Sequence, residues 1–296
     1  MGTPLFVLFA RVFFYSLFPA FKRANMVRIR DILQWIDSWA PFRYAEPWDN
    51  CGLQVGDPES AVTSVLVALD PASSVLREAQ RLGCQCVVTH HPLLLQPINA
   101  VRTDVWPGST ISLALLSGIS IIAAHTNLDA ARQGTNARLK ELLALDFAGP
   151  LDASAVFCGD EQYQGMGVVG LLPHETTLES LAVTLNGALG GAVVRITGDL
   201  QKQISKVAIC TGSGGSLMQK VLASGAEVFI TGDVKYHQAR FAEESGLAVI
   251  DIGHFASEKL VLEPFGDFLR SKAKSEAAAL EVFISKSEAD PFRVVV

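Results

Sequence analysis

The chain alternates short apolar runs with stretches of helical periodicity, and the whole pattern occurs twice. Strands that alternate with helices of about a dozen residues predict βαβ units and a largely parallel sheet. The predicted strands are 64–69, 84–89 and 119–124, then 206–210, 227–231 and 247–252. The predicted helices are 71–82 and 109–116, then 216–223 and one that ends within 241–245. The expected fold class is therefore α/β with mainly parallel strands.

The two halves also match in their spacing. Gly83 precedes Thr89 by the same interval at which Gly225 precedes Thr231, and glycine at such a position is typical of a helix C-cap. Between the halves, 166–172 and 193–197 read as strands flanking a helix at 177–189. We expect two similar α/β lobes, 26–150 and 151–296, joined near Gly149-Pro150.

Composition excludes several classes of protein. Of the 296 residues, 49% are hydrophobic and 18% are charged, which excludes a mainly disordered chain. The formal net charge of -6 argues against a nucleic-acid or anionic-membrane surface, so neither partner is expected. The five cysteines form no CxxC pair, which favours reduced thiols and a cytoplasmic location.

The first 25 residues differ from the rest of the chain. Residues 4–21 are crowded with phenylalanine and contain one charge, Arg11. This stretch is at the short end for a membrane span, and Pro19 weakens that interpretation. Two interpretations stay open: 1–25 is an apolar extension that follows from an upstream start codon, with Met26 the functional start, or it has a membrane or targeting role.

Histidines cluster where predicted strands end. His90 and His91 follow the strand 84–89, and His125 and His254 follow the third strand of each half. Each of the latter two begins a His-x-x-x-carboxylate pattern, which puts the pair on one face if a helical turn starts there. In open α/β sheets, ligands bind at the carboxyl ends of the strands. The sequence therefore predicts one polar site in a crevice at the carboxyl ends of these strands.

The residue types at this site point to metal. Imidazole and carboxylate ligands together suit Zn, Fe or Mn, and no cysteine joins the set. Two neighbouring ions need a bridging carboxylate, a role that Glu258 or Asp129 could fill. The alternative is that these histidines are loop or N-cap residues without metal. The candidate ligands are His90, His91, Asp129, His254 and Glu258.

Five motifs in order resemble the NIF-three-like dinuclear metal family, whose members carry the name GTP cyclohydrolase 1 type 2 homologue. They are PWDNCGLQVGDP (47–58), THHPLL (89–94), AAHTNLDAA (123–131), TGDVKYHQA (231–239) and DIGHFASEK (251–259). The resemblance extends from about Met26 to the C-terminus. It implies a two-lobed α/β protein that assembles as a homohexameric ring, with two metal ions between the lobes.

The resemblance also implies roles for single residues. The five candidate ligands match the family's ligands, whereas His125, His237 and Asp233 match polar residues that the family keeps around the metals. His125 and His237 are the candidate catalytic residues, which would move a proton. His237 is equally open to a supporting hydrogen-bonding role. Asp70 is either a partner of the site or a turn residue before Pro71.

The expected function is a metal-dependent hydrolase for a nucleotide-like or phosphorylated small molecule. The alternative is a non-enzymatic metal-binding protein or a ring-shaped adaptor. The glycine-rich turn 211–216 follows a strand, and it is either a tight turn or a phosphate cradle. It lacks the spacing of a nucleotide-binding fingerprint. The sequence contains no motif that would read a guanine.

Overall fold

The computed structural model describes residues 26–154, 157, 159–161 and 163–293, so the apolar extension 1–25 lies outside the described residues. Strands β1 to β13 are Val27–Arg28, Gly52–Val55, Ala61–Val62, Ser64–Ala68, Cys86–Thr89, Ser120–Ala123, Asp146–Asp152, Met166–Thr177, Arg195–Thr197, Gln203–Ile209, Val228–Thr231, Ala248–Asp251 and Glu281–Ile284. Helices α1 to α10 are Ile29–Trp39, Ser73–Leu82, Gly108–Leu116, Thr126–Ala130, Thr135–Leu142, Leu178–Ala188, Met218–Ser224, Tyr236–Glu244, His254–Glu258 and Leu262–Ser275. None of these helices is both long and apolar enough to cross a bilayer.

The first lobe is built on a five-stranded sheet in the order β13-β4-β5-β6-β2. Strands β4, β5 and β6 are parallel neighbours, and Val88 of β5 lies opposite Val67 and Ile122. All residues of these three strands are buried, because helices α1 and α10 cover one face and α2 and α3 cover the other. Burial on both faces explains why the strands read as continuous apolar runs.

The second lobe repeats this core in a six-stranded sheet with the order β7-β8-β10-β11-β12-β9. Strands β10, β11 and β12 are parallel, and Ile230 lies opposite Ile209 and Ile250. Helices α5 and α6 contribute to the core on one face, and α7 and α8 on the other. The remaining pairs in this sheet are antiparallel. The α/β class is confirmed, with parallel pairing in the three central strands of each lobe.

The division of the chain differs from the expected boundary near residue 150. Leu139 of α5 already packs in the core of the second lobe. At the other end, β13 pairs in parallel with β4, and Phe265 of α10 packs with Ile32 and Ile36 of α1. Segment 262–284 therefore completes the first lobe, although it falls within the expected second lobe, 151–296. The physical reason is that β4 would otherwise leave a row of backbone hydrogen-bonding groups unpaired.

Candidate metal centre

The candidate ligands of the first lobe sit at the carboxyl ends of neighbouring strands. His90 and His91 directly follow β5. His125 is the N-cap of the short helix α4 after β6, and Asp129 lies within that helix. Because β5 and β6 are parallel, their carboxyl ends lie at the same edge of the sheet.

The second lobe presents its ligands on one short helix. Helix α9 follows β12 and runs from His254 to Glu258, so the two side chains lie one turn apart on the same face. Gly253, with φ +78°, makes the turn that starts the helix.

Glu258 lies among three imidazoles from both lobes. Its Oε2 is 3.0 Å from His91 Nε2 and 3.1 Å from His254 Nε2, and its Oε1 is 3.5 Å from His90 Nε2. The carboxylate is buried, with only 4% of the side chain exposed. The structure thus joins the first and second lobes at one carboxylate, as a bridging ligand requires.

The ligand atoms form two overlapping groups that share His91. One group comprises His91, His254 and Glu258, and the other adds His90 and His125 to His91. Within each group the ligand atoms lie within 4.8 Å of one another. His125 therefore stands in ligand range, although the sequence assigned it only a role in proton transfer.

Asp129 borders this cluster without being a member of either group. Its Oδ1 lies 3.6 Å from His90 Nε2 and accepts a hydrogen bond of 2.5 Å from Thr135 Oγ1. Thr211 of the second lobe donates in turn to Thr135, which ties this corner of the site to β10. Asp129 is 8% exposed, so its carboxylate is buried beside the histidines.

Each imidazole has an outer partner on Nδ1. His90 Nδ1 lies 2.9 Å from the carbonyl oxygen of Ala124, and the other three histidines have carboxylate partners. The carboxylate pairs are His91 with Asp70 at 2.9 Å, His125 with Asp49 at 2.9 Å, and His254 with Asp233 at 2.7 Å. These partners only accept hydrogen bonds, so they favour a proton on Nδ1 of each ring. The unprotonated Nε2 then faces inward, where it can bind a metal ion.

Asp49 is the residue of this outer set that sequence reasoning missed. Its side chain is fully buried and accepts from His125, from the backbone and hydroxyl of Thr126, and from the thiol of Cys51. Burial raises the pKa of Asp49, but the hydrogen bonds from His125 and Thr126 outweigh it and hold the pKa below its ordinary value. The only signal was its place in the motif 47–58.

The neighbouring carboxylates shift the pKa of His91 and His254 upward in the absence of a metal ion. Burial lowers the pKa of His91, but the hydrogen bond to Asp70 and the negative charges of Glu258 and Asp70 outweigh this effect and raise the pKa to about 10. Burial also lowers the pKa of His254, and Glu258 with Asp233 raises it to about 9. Burial raises the pKa of Glu258, but His90, together with His254 and His91, outweighs this effect and holds the pKa well below its ordinary value. The centre thus favours positive charge beside Glu258.

Two buried polar atoms at the centre have no hydrogen-bond partner within the described part of the chain. They are Nε2 of His90 and Oε2 of Glu258. The contacts of Oε2 with two imidazoles are short, yet this oxygen makes no hydrogen bond with either ring. Leaving such atoms unpaired is costly, whereas a cation between them would satisfy both. The residues present therefore fit a divalent metal ion of the kind that imidazole and carboxylate bind.

Comparison with known proteins settles the family. The model of the DUF34/NIF3 family (NGG1p interacting factor 3) matches residues 27–291. The chain belongs to the DUF34/NIF3 family. Among relatives named GTP cyclohydrolase 1 type 2 homolog, one from Clostridium perfringens (strain 13 / Type A) is 35% identical over 269 residues, covering 91% of this chain and 100% of that protein. Another, from Streptomyces coelicolor, is 32% identical over 272 residues, covering 90% and 94%.

Solved structures confirm the fold of this DUF34/NIF3 protein. A Bacillus cereus protein related to NIF3 superposes with a TM-score of 0.85 at 24% identity, covering 92% of this chain and 100% of that one. A Staphylococcus aureus protein gives a TM-score of 0.83 at 28% identity, covering 91% and 99%. The resemblance recognised in the sequence is thus confirmed.

In this DUF34/NIF3 chain, the glycine-rich turn packs directly against the candidate metal centre. Gly212 N–H donates to Ser257 Oγ and Gly214 N–H donates to Thr231 Oγ1, each at 2.9 Å. A Cβ at Gly212 would lie 2.2 Å from Glu258 Oε1. Since these two N–H groups already have partners, the geometry favours a tight turn over a phosphate cradle.

His237 lies apart from the ligand groups. It is exposed near the start of α8 and its ring contacts the neighbouring Tyr236, with centroids 5.3 Å apart. Neither of the two ligand groups found in the described residues includes it. Its assignment to proton transfer stays a prediction, whereas Asp233 directly contacts His254.

Proposed function

We propose that the chain holds two divalent metal ions between its lobes and is a metal-dependent hydrolase for a nucleotide-like or phosphorylated small molecule. The observation that carries this proposal is the pair of buried, unpartnered ligand atoms, His90 Nε2 and Glu258 Oε2, at the meeting point of both lobes. The two overlapping ligand groups that share His91 support a pair of ions.

The proposed ligands are those expected from the sequence, with His125 added by its position. Glu258 is the proposed bridge because its two oxygens face different imidazoles. The donor set of imidazole and carboxylate suits Zn, Fe or Mn. When bound, such ions supply Lewis-acid activation of a substrate and of water. The proposed ligands are His90, His91, His125, Asp129, His254 and Glu258.

The chain's own residues would prepare this site in three ways. Asp70, Asp49 and Asp233 fix the ring orientation of His91, His125 and His254. The ligand atoms His90 Nε2 and Glu258 Oε2 are themselves buried, so bulk water would not compete with the metal for them. A proton from the reacting water would move to His237, because His125 would be engaged with the metal through one ring nitrogen and with Asp49 through Nδ1.

The substrate class is proposed from the relatives' name and is tested directly. GTP is incubated with the zinc-, iron- or manganese-loaded protein, and its loss is followed by chromatography. We expect turnover that disappears in His90→Ala. Retained GTP with metal content confirmed would contradict a cyclohydrolase, and a panel of phosphomonoesters and phosphodiesters would then test the wider hydrolase class.

The non-enzymatic alternative makes a different prediction. A metal-storage or delivery protein binds exchangeable metal and turns over no member of that panel, and an adaptor keeps its partner when its metal ligands are replaced. We also propose the homohexameric ring and the cytoplasmic location that the family resemblance implies. Light scattering measures the assembly, and a mass other than that of six chains would contradict it.

A further inference from the structure

We propose that Glu288, in the segment that follows β13, is a positioning residue for the metal ligand His91. The inference rests on the proposed metal site and concerns how this chain holds one of its ligands. It starts from an unexpected placement: the chain crosses back from the second lobe and brings Glu288 beside the first-lobe half of the site.

The segment 285–288, here called the strap, is fastened to the first lobe. Ser285 N–H donates to the carbonyl oxygen of Val67, which extends the pairing of β13 with β4. The carboxylate of Glu78 on α2 accepts from Ser285 Oγ at 2.8 Å and from the backbone N–H groups of Lys286 and Ser287. Glu78 is only 7% exposed, so the strap rests on a buried acceptor.

Glu288 then reaches from the strap to the end of β4. Its carboxylate accepts the N–H of Leu69 at 2.9 and 3.0 Å and the N–H of Asp70 at 2.7 Å. Hydrogen bonds to an ionised carboxylate are among the stronger ones in proteins. Two consecutive backbone groups are thereby fixed at the point where the chain leaves the sheet.

Asp70 connects this anchor to the metal centre. Its Oδ1 lies 2.9 Å from His91 Nδ1, and His91 Nε2 faces Glu258 and His254. The side chain of Asp70 is 51% exposed, so packing alone holds it loosely. The hydrogen bond that Asp70 N–H donates to Glu288 therefore fixes the backbone from which the Asp70 side chain extends. The Asp70 carboxylate in turn fixes the orientation of the His91 ring.

The size of the effect follows from how outer partners act on metal sites. Loss of a group that orients a ligand typically costs about 10–100-fold in metal affinity. Glu288 acts one step further out, through Asp70, so we expect the lower end of that range, about 10-fold. The effect should vanish when Asp70 is already absent, because no link to His91 is left to orient.

The test is a double-mutant cycle read by Co²⁺ binding. Co²⁺ affinity and the visible spectrum of the Co²⁺-loaded protein are measured for the parent, Glu288→Gln, Asp70→Ala and the double variant. Glu281→Gln, an exposed change on β13, is the matched control. We expect about 10-fold weaker binding and a shifted spectrum in Glu288→Gln, a change under about 2-fold when Asp70→Ala is present, and no change in the control.

Equal losses from Glu288→Gln with and without Asp70 would overturn the inference, since Glu288 would then stabilise the lobe without acting through Asp70. An unchanged affinity and spectrum in Glu288→Gln would overturn it as well. If the parent itself binds no Co²⁺, the proposed metal site fails first, so the two failures are distinguishable. Circular dichroism of the metal-free variants shows that each is folded.

Discussion

Replacing Gly212 by alanine tests whether the glycine-rich turn shapes the metal centre. Gly212 has φ +65°, a left-handed conformation that costs an alanine about 1–2 kcal/mol. The new Cβ would also lie 2.2 Å from Glu258 Oε1. A normal contact between these atoms needs about 1 Å more, so either the turn or the carboxylate must move.

That displacement is large on the scale of metal coordination. Ligand distances in a metal site hold to within about 0.2 Å, so a carboxylate moved by about 1 Å loses at least one ion. Glu258 is buried and sits between His91 and His254, which leaves it little room to relax while keeping both contacts. We expect Gly212→Ala to fold, and to bind at most half the metal of the parent.

The matched control is Gly83→Ala. Gly83 caps α2 with φ +68°, and a Cβ there would meet nothing within 4 Å. Both variants therefore carry a similar backbone cost, which lowers the melting temperature by a few degrees. Only Gly212→Ala crowds the site. Metal content by plasma mass spectrometry and thermal unfolding are measured on both proteins.

Two results would refute this reasoning. Full metal content in Gly212→Ala would show that Glu258 does not need its observed position. Equal loss of metal in Gly83→Ala would show that general destabilisation, and not the contact with Glu258, controls binding.

Three further predictions follow from the site and the core. The pKa values of His91 and His254, about 10 and about 9, keep both rings protonated at pH 7 in the metal-free protein. Zn²⁺ binding therefore releases protons, and the affinity for Zn²⁺ rises with pH up to these values. Calorimetry in buffers of different ionisation enthalpy counts the released protons, and a count of zero contradicts the account. Asp49→Asn removes the charge that orients His125 and weakens Zn²⁺ binding about 10–100-fold, measured by competition with a chelating dye; unchanged binding would exclude Asp49 from the outer set. Phe265 is buried where α10 packs on α1, so Phe265→Ala lowers the free energy of unfolding by about 3–5 kcal/mol, as measured by urea titration. A change under about 1 kcal/mol would mean that α10 is dispensable to the first lobe.

The parts of the fold that local pattern determines were predictable. Strands β4, β5 and β6, like β11 and β12 of the second lobe, are largely apolar runs because both of their faces are buried. The His-x-x-x-carboxylate pattern predicted that His254 and Glu258 share one helical face, and α9 confirms it. Both features depend on residues within a few positions of each other.

Features that depend on distant pairing were not predictable in the same way. Asp49 meets His125 across 76 positions, and Glu288 meets Leu69 across 219 positions. Neither carboxylate has a local pattern that separates it from a solvated surface residue. The return of β13 to the first sheet also follows from an open edge on β4, which is visible only once the sheet is assembled.

His125 shows a limit of another kind. Its place after β6 was predicted, but its role depends on where Nε2 lies relative to His90 and His91. That position is set by the contact of Nδ1 with Asp49, a contact made through the fold. Residue type and spacing therefore located the site, and the outer carboxylates decide which atoms face its centre.

Metal content per chain tests the central claim most directly. Plasma mass spectrometry is applied to the purified full-length protein, to Asp129→Ala and to Glu258→Ala, with folding checked by circular dichroism. The account predicts close to two ions per chain in the parent and a loss of metal in both variants. Little metal in the parent, or a metal content that the two variants leave unchanged, would contradict the metal centre proposed between the lobes.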